Sequence, residues 1–164
     1  MTTRTPSYTF TRPADTTQYT SGDIVANSTT AASITPLSWS IEGMQGASGI
    51  IRGVRVYKSN KTVTAGSFRV HLFTADPGVP TNGDNGAFGI ADASNFLDTV
   101  AVDLSSSSMA GGTTGAKKRS AAVAIPFTFP TTAMKLYGLI DVQGTYTPTS
   151  AETFTITLEL ESST

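Results

Sequence analysis

The chain has 164 residues, of which 38% are hydrophobic and 14% charged, with a net charge of −1, one histidine and no cysteine. That length favours a single domain with its own core, and the charge balance excludes a field that would gather nucleic acid or membrane onto the whole molecule. Without cysteine there is no disulfide, no thiolate chemistry and no cysteine metal site. No run of about 18 apolar residues is present to form a helical span. The polar first six residues predict a protein made in the cytoplasm without a signal peptide. Disorder would require high net charge and few aromatics. Here Thr, Ser, Gly and Ala fill the composition, as in a turn-rich all-β protein packed into an assembly.

In chain order, residues 1–12 read as a polar N-terminal arm containing one short alternating stretch, 8–12, and residues 13–164 as the domain. Tyr19, Ile24 and Val25 are expected to anchor the next segment around a Ser21-Gly22-Asp23 turn. Residues 27–32 read as a loop and 37–41 as a strand, with Trp39, the only tryptophan, in the core. A Gly-rich turn at 43–48 leads into the centre of the chain, residues 49–74. There two runs rich in β-branched and aromatic residues flank a polar linker, which predicts a hairpin or two neighbouring strands. In the second run Phe68, Val70 and Leu72 share one face, and Arg69 and His71 the other. The first run is apolar on both faces, with Ile50, Val54 and Val56 on one and Ile51 and Tyr57 on the other. That pattern predicts a central strand with Arg52 and Arg55 near its ends or at an interface.

Residues 76–95, dominated by Gly, Pro, Asn and Asp, read as a long loop, and loops of this length usually carry function or contact a partner. Phe88 and Ile90 either pin it to the body or insert into a neighbouring subunit. Residues 96–104 predict a strand with Phe96, Val100, Val102 and Leu104 on one face. Residues 105–120, with a Ser run and Lys117-Lys118-Arg119, read as a flexible hairpin tip. Residues 121–129 predict an edge strand, because Pro126 lacks a donor. Residues 136–142 predict a central strand. The last strand turns Phe154, Ile156, Leu158 and Leu160 inward and Thr153, Thr155, Thr157, Glu159 and Glu161 outward. No segment keeps a 3.6-residue period, so at most one helical turn is expected, near 90–96. About eight strands imply an all-β, single-domain antiparallel β-sandwich of jelly-roll type.

Motifs for chemistry are weak. His71 has no nucleophile or orienting acid marked beside it in the sequence, so it reads as a partly exposed surface or interface histidine. Residues 111–118 miss the phosphate-loop pattern, because Ala116 precedes Lys117 and Lys118 follows it. Residues 82–86 resemble a calcium loop without its first aspartate and closing glutamate; Asp76 and Asp92 flank it. Glu42, Asp98, Asp103, Asp141 and Glu152 show no spacing that marks a catalytic pair. No enzyme activity, cofactor or metal is therefore expected. The charge layout says more. Residues 43–75 carry Arg52, Arg55, Lys58, Lys61 and Arg69 without an acid, whereas Glu152, Glu159 and Glu161 make the C-terminal strand acidic. Such a chain is expected to dock head-to-tail or on an oppositely charged scaffold.

The segment Phe10-Thr11-Arg12-Pro13-Ala14-Asp15-Thr16, continuing through Tyr19 to Gly22-Asp23-Ile24, resembles one found in small virion proteins of tailed bacteriophages. Tyr57-Lys58-Ser59, Phe68 to Phe73 with Pro77-Gly78-Val79-Pro80, and Lys135 to Asp141 are similar too. The resemblance implies a capsid decoration (cement) protein, often trimeric, that binds the major capsid protein across subunit junctions on the outer surface of the virion, with no nucleic-acid or membrane partner. On that reading the contact residues are the arm (Arg4, Tyr8, Phe10, Arg12), the basic pair (Arg52, Arg55) and the long loop (Phe88, Ile90). The competing reading is a receptor- or glycan-binding module of a tail or head fibre, with Tyr146 or Phe88 stacking on a sugar.

Overall fold

A computed structural model describes residues 2–43, 48–106, 109, 115–129 and 134–162. Eleven strands form two antiparallel sheets. The first sheet contains β1 (Thr2–Arg4), β2 (Ser7–Thr11), β5 (Ser48–Lys58), β8 (Ala116–Arg119), β9 (Ile125–Thr128) and β11 (Thr153–Ser162). The second contains β3 (Ile24–Val25), β4 (Leu37–Ser40), β6 (Ser67–Phe73), β7 (Phe96–Asp103) and β10 (Lys135–Val142). β1 and β2 lie end to end along β11, β3 and β4 along β10, and β8 and β9 along β5. The eleven segments therefore fill eight strand positions, ordered 1-8-3-6 in one sheet and 2-7-4-5 in the other. Every crossing between consecutive positions alternates sheets except 4 to 5, and this is the jelly-roll winding.

β11 follows its expected alternation, because its inward side chains meet both sheets in one core. Phe154 stacks on Phe10 and meets Phe68 of the opposite sheet edge-on, with centroids 5.6 and 5.5 Å apart. Trp39 is buried as expected, and its Nε1 donates to the Ile156 carbonyl across the sandwich at 3.0 Å. Gly138 packs so closely that a Cβ there would meet the Trp39 ring at 2.8 Å, so only glycine fits beneath the indole.

Several expectations fail, each for a physical reason. β5 and β6 are neither a hairpin nor neighbours; the 59–66 linker carries the chain from one sheet to the other. In β5, Ile51, Val54 and Val56 point inward, and Ile50 and Tyr57 outward. The register against β11 shifts because Ile51 faces Leu160 while Gly53 faces Glu159, leaving Arg52 as an extra residue. A bulge reverses which face follows which. A second bulge, at Leu97, turns Phe96 away from Val100 and Val102, so that it lies 44% exposed against Phe73. The 3-10 turn falls at Ala31–Ser33, not near 90–96. Lys117, Lys118 and Arg119 belong to β8; the rest of the expected tip at 107–108 and 110–114 lies outside the described residues, as does 44–47 of the Gly-rich turn. β9 does form an edge with Pro126 exposed, and β10 is central as expected.

Candidate functional surfaces and buried ion pairs

Three of the residues expected at a partner interface are turned into the molecule. β2 runs beside β11, so Tyr8 and Phe10 face the core with Ile156 and Phe154. Arg12 continues that alternation and is 2% exposed. Its Nη2 lies 2.8 Å from Asp84 Oδ2, and its Nε donates to the Tyr19 hydroxyl at 2.7 Å. Asp84 also accepts from Tyr19 and from the Ala26 N–H, both at 2.7 Å. Burial pushes the Asp84 carboxyl up, while Ala26, Tyr19 and Arg12 pull it back. Burial and Asp84 together hold the Tyr19 hydroxyl protonated, as the donor this geometry requires. The residues Arg12, Asp15 and Tyr19 of the phage-like segment thus build an internal clamp between the N-terminal strand and the long loop.

A second buried pair lies beside it. Lys58 is fully buried, with Nζ 3.4 Å from Glu152 Oε1 and donating to the carbonyls of Asn60, at 2.7 Å, and Thr62. The Tyr146 hydroxyl donates to the Glu152 carboxylate at 2.7 Å. Tyr146 stacks on Tyr19 at 6.3 Å, and the Arg12 N–H donates to the Glu152 carbonyl at 3.0 Å, so the two clusters form one polar seam. Tyr146 is 0% exposed and is not available to a sugar.

The long loop covers the outward face of the second sheet. Phe88 and Ile90 pack on a separate apolar cluster of Ile24, Ala26, Ile34, Phe73 and Leu139. Phe88 lies flat on His71 with centroids 4.3 Å apart. Beneath it His71 Nδ1 is 2.8 Å from Thr99 Oγ1, and Nε2 is 3.4 Å from Asp141 Oδ1. A hydroxyl, an imidazole and a carboxylate are thus aligned, which no sequence spacing revealed. Arg69 engages both Asp141 oxygens, and the Phe88 ring covers the imidazole, so the arrangement anchors the loop. Asp84, the acid of the 82–86 turn loop, is committed to Arg12, while Asp92 accepts from the Ser94 N–H and Asp76 from the Gly78 N–H.

Burial pushes the Asp141 carboxyl up, but His71 and Arg69 outweigh it and hold the group below the usual carboxylate range. A depressed folded value stabilises the fold above the unfolded pKa of about 3.9, and that contribution is lost as pH falls through the folded value. The expected loss is on the order of 1–2 kcal/mol once the partial exposure of Arg69 is allowed for. Urea unfolding of Asp141→Asn between pH 7 and pH 2 checks this: the variant should be weaker at pH 7 and its acid limb flatter. An acid limb identical to that of the parent would refute it.

The exposed polar surface is the outward face of the first sheet. The expected separation of a basic patch from an acidic one is absent, because β5 and β8 lie across from β11. Arg52 Nε is 2.8 Å from Glu161, Arg55 is 2.5 Å from Glu159, and Arg119 is 2.7 Å from Glu159. The Arg52 and Arg55 side chains remain 39% and 40% exposed. With Thr3, Thr5 and Arg119 they line a shallow cavity of about 280 Å³. Beyond it, Ser7 bonds Thr157 at 2.7 Å and Thr9 bonds Thr155 at 2.8 Å, extending a flat hydroxyl ladder. Arg4 is at the edge, donating to the Glu42 carbonyl at 2.7 Å.

No protein-family profile and no curated protein matches the chain. Among solved structures it is similar to a chain of Triatoma virus, with a TM-score of 0.28 and 8% identity over 89% of this chain and 62% of that one. A chain of the Triatoma virus empty capsid gives a TM-score of 0.31 with 12% identity over 94% and 71%. One of Mud Crab dicistrovirus gives 0.28 with 12% identity over 98% and 68%. The chain thus spans less than two thirds of the length of the first of these.

Proposed function

We propose that this chain is a non-enzymatic virion structural protein that decorates and stabilises a phage capsid, binding the major capsid protein across subunit junctions on the outer surface. The observation that carries the reading is the outward face of the first sheet, considered with the phage-like segments of the sequence. Three guanidiniums and two carboxylates stand there in a fixed cross-strand array around a shallow cavity. Exposed pairs of this kind add little to folding, whereas arginines held in place by neighbours suit an interface core. Bound copies would stabilise the assembled shell by mass action. Arg52 and Arg55 keep their expected role in this reading. Arg12 and Phe10 leave it, because their side chains are used internally.

The test is co-sedimentation with mature heads stripped of accessory proteins and with unexpanded procapsids. Saturable binding to mature heads with a raised shell melting temperature is expected. Arg52→Glu/Arg55→Glu should weaken binding by about tenfold or more while the isolated protein melts within a few degrees of the parent. Absence of binding to either shell would sink the proposal. Deleting residues 2–12 is not a clean alternative, since it removes β1, β2 and Arg12 from the fold.

A further inference from the structure

An edge strand offers unpaired N–H and C=O groups to any other strand, and proteins normally blunt such edges. Among the described residues, three of the four sheet edges here are blunted. The β1–β2 edge is interrupted at Thr5 and Pro6. The β8–β9 edge carries Lys117, Lys118 and Arg119, then a break, then Pro126. The β3–β4 edge is split by eleven residues, and β3 is bridged by the long loop, Ile24 N–H to the Gly86 carbonyl at 2.8 Å. β7 is different. Past the bulge at Leu97 it runs six regular residues, 98–103, about 20 Å at strand rise, pairs with β6 on one side only, contains no proline, lysine or arginine, and has its Thr99 N–H held by Asp98 Oδ1 at 2.7 Å.

We propose that β7 is an assembly edge through which two copies of this chain pair antiparallel, joining their second sheets into one continuous sheet. The occupant follows from the strand itself. Opposed residues in an antiparallel pair share a face, so the central registers set Thr99 against Thr99 or Val100 against Val100. In either register Asp98 and Asp103, the only charges of β7, have no acid directly opposite, and in the Val100 register they have none diagonal to them either, which favours that register. Phe96, one of the few large apolar side chains left exposed, sits at the strand entrance where pairing would cover it. Self-pairing is two-fold and closed. A three-fold ring would need a second, different open edge, and the other edges are blunted. This inference is independent of the proposed capsid role.

The experiment measures the mass of the full chain in solution by sedimentation over a wide concentration range, with amide exchange along β7. The expected result is a dimer of twice the 17.1 kDa chain mass, with the free-edge amides of β7 protected at high concentration and exchanging on dilution. Asp98→Pro and Ala101→Pro supply the variants. Both side chains are exposed, and N–H directions alternate along a strand, so one proline removes a β6 bond and the other only a free-edge donor. The free-edge variant should keep its fold and raise the dimer dissociation constant at least about tenfold. A monomer at every concentration overturns the proposal. So does a dimer whose β7 amides exchange freely or that survives the folded proline variant.

Discussion

Asp84→Ala is expected to lower the stability of the fold by about 3–5 kcal/mol, because it leaves the Arg12 guanidinium buried without its principal counter-charge. The same change removes the acceptor of the Tyr19 hydroxyl and of the Ala26 N–H, so two further buried donors lose their partner. Asp15 does not compensate. It is 3.3 Å from Arg12 Nη2, and its carboxylate is about a third exposed. The loss should have a location as well as a size. Residues 84–88 hold to the Gly22–Ile24 segment through backbone bonds and to Arg12 through Asp84, so amide exchange there should quicken first. Urea unfolding with exchange mass spectrometry reads both. Replacing both charges together, Arg12→Met/Asp84→Leu, should recover only the part of the loss due to the unpaired guanidinium, since the Tyr19 hydroxyl and the Ala26 N–H stay without their acceptor. A loss below about 1 kcal/mol for Asp84→Ala would show that water reaches the guanidinium.

Glu152→Leu should cost a similar amount, about 3–5 kcal/mol, by leaving the Lys58 ammonium with only the Asn60 and Thr62 carbonyls. The Tyr146 hydroxyl loses its acceptor too. Burial already pulls the Lys58 ammonium down, and Glu152 is what opposes that pull. Lys58→Met should be milder, because Glu152 keeps the Tyr146 hydroxyl and the Thr149 N–H at 3.2 Å. The double variant Lys58→Met/Glu152→Leu should be less destabilised than Glu152→Leu, falling short of the parent by what the Tyr146 hydroxyl and Thr149 N–H lose. Denaturant midpoints of the four proteins form a double-mutant cycle. Additive single effects would refute the coupling of this pair. Neither cycle touches the outward face of the first sheet, so both sets of variants should leave the proposed capsid binding unchanged once folded.

Much of the architecture is legible in the sequence because period-two alternation is a local property. β11 and β6 follow it, β10 is buried on both faces as its apolar run predicts, and Trp39, Tyr19 and the Ile24-Val25 pair are buried where their neighbours predicted. The internal clamps carried the same signal. Arg12 is in step with Tyr8 and Phe10, Lys58 with Val54 and Val56, and Glu152 with Phe154 and Ile156. Arg12 and Lys58 close an inward alternation and Glu152 opens one, and the pairing of β2, β5 and β11 brings the three to the same end of the sheet. Reading charge as surface concealed them, and with them the inward position of Arg12, a residue expected at a partner interface.

What the sequence by itself determined is the all-β class, the longer strands and the inward faces of β6 and β11, since these depend on residues one or two positions apart. The tertiary structure alone decided which strands share a sheet, because β5 and β6 are adjacent in the chain yet lie in opposite layers. It decided the two bulges, which need a partner strand to define them. It also decided which charges meet. Arg12 finds Asp84 and Lys58 finds Glu152 across 72 and 94 residues, and Arg55 finds Glu159 across the register of β5 and β11. Pairings at that separation are set by sheet order, and no local pattern encodes it.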